Sequence, residues 1–95
     1  MIKNYEDKLR SIIHNHLPGA KIYLFNLKSE EKDGKYMEMS IAIDAGQISD
    51  PGIIGNIYAD IKKQLWPVDI DIVDFNYVTD DLKTEILKNG VVVQK

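Results

Sequence analysis

The sequence contains no cysteine, no excess of basic residues and no long apolar run. Without cysteine there are no disulfides, no thiolate zinc sites and no cysteine nucleophile. A net charge of −3 argues against a nucleic-acid-coating surface, so no nucleic-acid partner is expected. A membrane span needs about 20 apolar residues, and the charged start "MIKNYEDKLR" lacks the core of a secretion signal. These absences predict a cytoplasmic protein without a membrane partner.

The chain has 95 residues, with no internal repeat, low-complexity tract or linker. This length is enough for one hydrophobic core and leaves no spare segment for a second. We therefore predict a single domain over residues 1–95.

Three segments carry apolar side chains at helical spacing and are bounded by capping and breaking residues. The predicted starts are Asn4, Ser49 or Asp50, and Thr79 or Asp80. The predicted ends are Pro18-Gly19, Trp66-Pro67 and Gly90, the last as the residue after its helix.

Four other segments predict strands, near residues 21–26, 36–43, 69–75 and 91–93. In "YMEMSIAI" apolar side chains alternate with others, the two-residue period of a strand with distinct faces. The resulting order is α-β-β-α-β-α-β. We expect an antiparallel hairpin followed by a right-handed parallel crossover, which gives an α+β fold with a mixed sheet and flanking helices.

Two stretches point to a family. "LWPVDIDIVDFNYVTDDLKTEILKNGVVV" is similar to the third strand, its acidic residue, the next helix and the closing segment of the minimal nucleotidyltransferases. "IYLF" is similar to their first strand. The resemblance covers the chain from about Lys21 onward and implies the nucleotidyltransferase-like fold of the DNA polymerase β-like superfamily.

The resemblance also implies where a catalytic site would lie. In the family, a Gly-Ser step after the first strand holds nucleotide phosphates, and three strand aspartates bind two Mg²⁺ ions. Here Asn26 and Leu27 occupy the Gly-Ser positions, and Glu38 and Ser40 occupy the first two aspartate positions. Asp71 alone matches the third aspartate unchanged.

These departures predict a degenerate site and a chain that is not an active enzyme. Leu27 has no hydroxyl for a phosphate, and Mg²⁺ requires strict octahedral oxygen coordination. Glu38 and Asp71 are the candidates for a residual metal site, with Asp69 on the same strand face as an additional acid. The alternative is that these carboxylates are solvated or ion-paired.

Two functions fit this interpretation. Family members are commonly encoded beside a small helical HEPN-type toxin, so the resemblance implies an antitoxin-like chain that binds such a partner and needs no cofactor. Self-association through a sheet edge is a further alternative. The other function is a divergent Mg²⁺-dependent nucleotidyltransferase, with Mg²⁺ and ATP as cofactors, that transfers a nucleoside monophosphate to a protein or small molecule.

Overall fold

A computed structural model of the protein describes residues 2–29 and 36–93. The helices and strands follow the predicted order α-β-β-α-β-α-β, which is confirmed. The elements are α1 Ile2–His16, β1 Lys21–Ser29, β2 Tyr36–Asp44, α2 Pro51–Leu65, β3 Asp69–Asp74, α3 Asp80–Asn89 and β4 Val91–Val92.

The four strands form one mixed sheet in the order β3-β2-β1-β4. Strand β1 runs antiparallel to both β2 and β4, whereas β2 and β3 are parallel. The predicted hairpin and crossover are therefore present, with α2 connecting the parallel pair. β3 and β4 are the two edge strands.

Each face of the sheet has its own hydrophobic cluster. Helices α1 and α2 cover one face, where thirteen of the described residues are buried and pack together, including Leu9, Ile41 and Ile57. Helix α3 covers part of the other face, where Ile86 packs with Tyr23, Ala42 and Phe75. Full burial of each large aliphatic side chain stabilises the fold by about 1.5–3 kcal/mol. Because α3 is short, it leaves part of its face open.

Capping side chains fix two of the helix starts. The Asp50 carboxylate accepts a hydrogen bond from the Gly52 backbone N–H at 2.7 Å, and the Thr79 hydroxyl accepts one from the Leu82 N–H at 3.3 Å. Of the predicted alternatives, Asp50 rather than Ser49 caps α2, and Thr79 rather than Asp80 caps α3. The predicted cap at Asn4 is wrong, since α1 begins at Ile2.

Gly90 ends α3 for a steric reason. Its backbone is extended, with φ −74°, and its N–H donates to the Ile86 carbonyl. A Cβ at this position would lie 2.4 Å from that carbonyl oxygen. Glycine is needed here for the close approach of the backbone, not for a left-handed conformation.

Across the described residues, none of the helices has the length and apolar character needed to cross a membrane.

Candidate functional site

The predicted phosphate-binding segment forms a β-bulge within β1. Pairing with β2 is regular up to Phe25, shifts over Asn26 and Leu27, and resumes at Lys28. Asn26 has a φ of 49°, a left-handed conformation that glycine enters freely and that asparagine tolerates better than most other residues. The backbone at Asn26 therefore has a conformation suited to glycine, although it carries an exposed side chain.

The predicted acidic positions lie on one face of the parallel strand pair. Glu38 is opposite Asp69, and Ser40 is opposite Asp71. Residues directly opposite each other share a face, as do residues two apart along a strand. All four side chains therefore point the same way, and three of them are carboxylates.

Glu38 is already paired with a cation. Lys28 lies opposite it on β1, and its Nζ is 3.1 Å from Glu38 Oε2. Both side chains are well exposed, so the ion pair contributes no more than about 1 kcal/mol to stability. The pair nevertheless places a positive charge beside the carboxylate that would have to bind a metal.

These residues line a cleft of about 560 Å³ at the beginning of β2 and β3. Helix α2 contributes Tyr58 and Lys62 to its wall, two residues that the sequence analysis did not identify. Lys62 Nζ donates to Tyr58 Oη at 3.2 Å and lies 5.5 Å from the centre of that ring. Their spacing of four residues predicts that they are neighbours on one side of α2, which the sequence alone could have shown.

The donor set does not fit a pair of magnesium ions. Within residues 2–29 and 36–93, no three Asp, Glu, His or Cys side chains are close enough to hold a metal ion together. Ser40 supplies a hydroxyl opposite Asp71, and Glu38 is bound to Lys28. A two-metal clamp needs several anionic oxygens directed at ions a few ångströms apart.

The carboxyl ends of β2 and β3 carry a second pair of acids, in a different environment. Asp44 accepts hydrogen bonds from the Gly46 N–H and the Asn76 side-chain amide, both at 2.8 Å. Asp74 accepts from the backbone N–H groups of Ser49, at 2.6 Å, and Asn76, at 3.0 Å. These bonds fix the loops that follow the two strands.

The helix and strand order, the mixed sheet and the parallel crossover agree with the nucleotidyltransferase-like fold that the resemblance implies. No family model matches the chain, and no curated protein matches it.

Two solved structures share this fold. One chain in the complex of tri-AMPylated HEPN toxin of Shewanella oneidensis with MNT antitoxin has a TM-score of 0.78 and 22% identity, over 99% of this chain and 72% of that one. A chain of the toxin–antitoxin pair MntA-HpeT, in a mutant form, has a TM-score of 0.74 and 21% identity, over 94% and 71%. The fold expected from the minimal nucleotidyltransferase resemblance is thus confirmed. The roles suggested for Asn26, Leu27, Glu38, Ser40 and Asp71 stay predictions.

Proposed function

We propose that this chain acts in the cytoplasm by binding a small helical protein partner and does not transfer nucleotides. The observation that carries the proposal is the pairing of the parallel strands. The position opposite Asp71 holds Ser40 instead of a carboxylate, and the remaining acid of β2, Glu38, is tied to Lys28.

The electrostatics of the cleft support the non-catalytic part. Nucleotide transfer requires compensation of the charge that develops on the phosphates, a task that bound metal ions perform in such sites. Lys28 and Lys62 are the cations that line the cleft among its described residues, and each is engaged, with Glu38 and Tyr58 respectively. A Leu at position 27 adds no donor for a phosphate oxygen.

The fold supports the partner-binding part. Both solved structures named above are toxin–antitoxin systems, and one of them is a complex of an HEPN toxin with its antitoxin. By analogy, this chain would be antitoxin-like and would bind a HEPN-type partner. Neutralisation by contact alone is supported by the cleft residues and not by the analogy, since the toxin in the first complex is tri-AMPylated.

The test measures nucleotide transfer and partner binding on the same preparation. Purified chain is incubated with Mg²⁺ and α-labelled ATP, with and without a candidate partner, a small HEPN-type helical protein from the same genome. We expect a stable complex and no label on either protein. Label on the partner or on the chain itself would overturn the non-catalytic proposal, whereas failure to form a complex would overturn the antitoxin-like role.

One observation favours the divergent nucleotidyltransferase as a second candidate. The left-handed bulge at Asn26 opens onto a cleft large enough for a small ligand. Under this alternative, Glu38 and Asp71 would bind a single Mg²⁺ ion and ATP would be the donor. Calorimetry separates the two functions, since metal-dependent ATP binding is expected only for the enzyme.

A further inference from the structure

An apolar groove of about 400 Å³ lies at the carboxyl ends of β2 and β3. Its apolar walls are Ile48, Pro51, Ile54 and Tyr77. Ile48 is 60% exposed and Tyr77 is 77% exposed. Large apolar side chains that stay exposed around a concavity are typical of a surface that binds another molecule.

The loops that carry Ile48 and Tyr77 are fixed in place. Asp74 accepts from the backbone N–H groups of Ser49 and Asn76, the immediate neighbours of the two exposed residues. A charge-assisted hydrogen bond of this kind is stronger than a neutral one. The groove is therefore preorganised, and a ligand would not have to pay the conformational entropy of forming it.

The charged residues on the two segments that form the groove, 44–55 and 74–78, are acidic. Asp74 lines it, and Asp50 directly precedes Pro51. Residues 44–61 and 64–82 include no lysine or arginine. Two lysines lie nearby: Lys21 is opposite Asp44 on the neighbouring strand, and Lys83 is 5.9 Å from the ring centre of Phe75. Neither is among the residues lining the groove.

We propose that this groove docks a basic amphipathic helix of a protein partner, which inserts a large apolar side chain between Ile48 and Tyr77. A helix fits because the walls are side chains from two loops and the first turn of α2, not an open strand edge. A second copy of this chain fits poorly, since a symmetric contact would bring two acidic rims together. The inference rests on the proposed function, because it names the chemistry of the partner's contact surface.

The test uses two synthetic 14-residue helices with the same leucine face, one with lysines and the other with glutamates on its polar face. Binding is measured by calorimetry, and the site is located by NMR of the isoleucine methyl groups. We expect the lysine peptide to bind and to shift the methyl signals of Ile48 and Ile54. The glutamate peptide is expected not to bind.

Three variants separate apolar docking from general charge attraction. Tyr77→Ser should weaken the lysine peptide by about tenfold or more, as expected for an aromatic anchor. Asp50→Asn should weaken it by about two- to fivefold, since it removes a rim charge while asparagine still caps α2. The matched control is Trp66→Ser, which removes a 76% exposed aromatic side chain at the opposite end of α2, about 22 Å away. That variant should bind like the unmodified chain.

Several results would overturn the inference: equal binding of both peptides, undiminished binding by Tyr77→Ser, or methyl shifts confined to residues outside the groove. The proposed function can fail separately. Label transfer from ATP would refute it and leave the peptide result intact. A partner complex that is unaffected by Tyr77→Ser would refute the groove alone.

Discussion

The two ends of the parallel pair β2–β3 carry the same kind of residue in opposite situations. At the carboxyl ends, Asp44 and Asp74 each accept two hydrogen bonds from the following loops. Near the amino ends, Asp69 and Asp71 accept none from the described residues, and Glu38 has only the exposed Lys28. The acids at the carboxyl ends join the two loops through hydrogen bonds, whereas the acids near the amino ends make no such link between described residues.

This contrast separates carboxylates that the fold uses from carboxylates that it does not use. A carboxylate that accepts hydrogen bonds from backbone N–H groups has a structural role, because an N–H donor left without an acceptor costs free energy of folding. The exposed acids on one strand face beside the cleft have no such structural role. Variants that test for metal or nucleotide binding therefore belong in the cleft. Variants that test for partner binding belong in the groove, whose loops are held by hydrogen bonds.

The largest expected effect is on stability at the carboxyl end. Asp74→Ala removes the acceptor for two backbone N–H groups and should lower the free energy of unfolding by about 2–3 kcal/mol. The matched change near the amino end, Asp71→Ala, should alter it by no more than about 0.5 kcal/mol. Urea denaturation of the two variants measures both values. If both variants lost the same free energy of unfolding, the acids at the two ends of the strand pair would contribute equally to stability.

The next effect concerns metal binding near the amino end. Glu38→Asp with Ser40→Asp places carboxylates at all three positions that the family resemblance assigns to metal ligands, so Mg²⁺ affinity should rise by about tenfold or more. Calorimetry without nucleotide measures it.

Nucleotide transfer is expected to remain absent in this double variant. Transfer should require Asn26→Gly and Leu27→Ser in addition, because positioning of the phosphates supplies much of the catalysis in this chemistry. If the carboxylates alone gave transfer of label from ATP, Asn26 and Leu27 would not be what prevents transfer.

A smaller effect tests the conformation of the bulge. Asn26→Ala should destabilise the fold by about 1 kcal/mol, since alanine is less favourable than asparagine at a φ of 49°. Asn26→Gly should be neutral or slightly stabilising. Thermal unfolding of both variants gives the comparison, and equal melting temperatures would show that the position is not held in the left-handed region.

The smallest effect concerns the ion pair in the cleft. Lys28→Gln should leave the free energy of unfolding within about 0.5 kcal/mol, because both partners are well exposed. It should raise the affinity for a divalent cation by about two- to fivefold by freeing Glu38. A cation titration in low salt measures this, and unchanged affinity would mean that Lys28 does not compete for the carboxylate.

The sequence was sufficient for the elements and their order, since periodicity is a local property. The stripe of Ile57, Ile61 and Leu65 on α2 is buried, and the alternation in β2 places Met39 in the core. Local patterns do not encode partners across the sheet. They therefore missed the continuation of β1 through the bulge to Ser29.

The same limit explains which site residues were missed. Tyr58 and Lys62 adjoin buried positions on α2, yet only the packing of α2 against the sheet directs them into the cleft. The sharing of one strand face by Glu38, Ser40 and Asp71 follows from the register of β2 and β3, which agrees with the two-residue period used to place them. Ile48 and Tyr77 lie in separate loops, and hydrogen bonds to Asp44 and Asp74 bring those loops together.

The position of β3 at the edge of the sheet gives its acids a use that needs no ligand. An edge strand exposes unpaired backbone groups that invite addition of a foreign strand, and charged side chains along it oppose such addition. Asp69 and Asp71 are exposed along this edge, while the opposite edge, β4, is only two residues long. Charges at Asp69 and Asp71 would oppose such addition whether or not the cleft binds a metal or a nucleotide, so they have a physical use that is independent of catalysis.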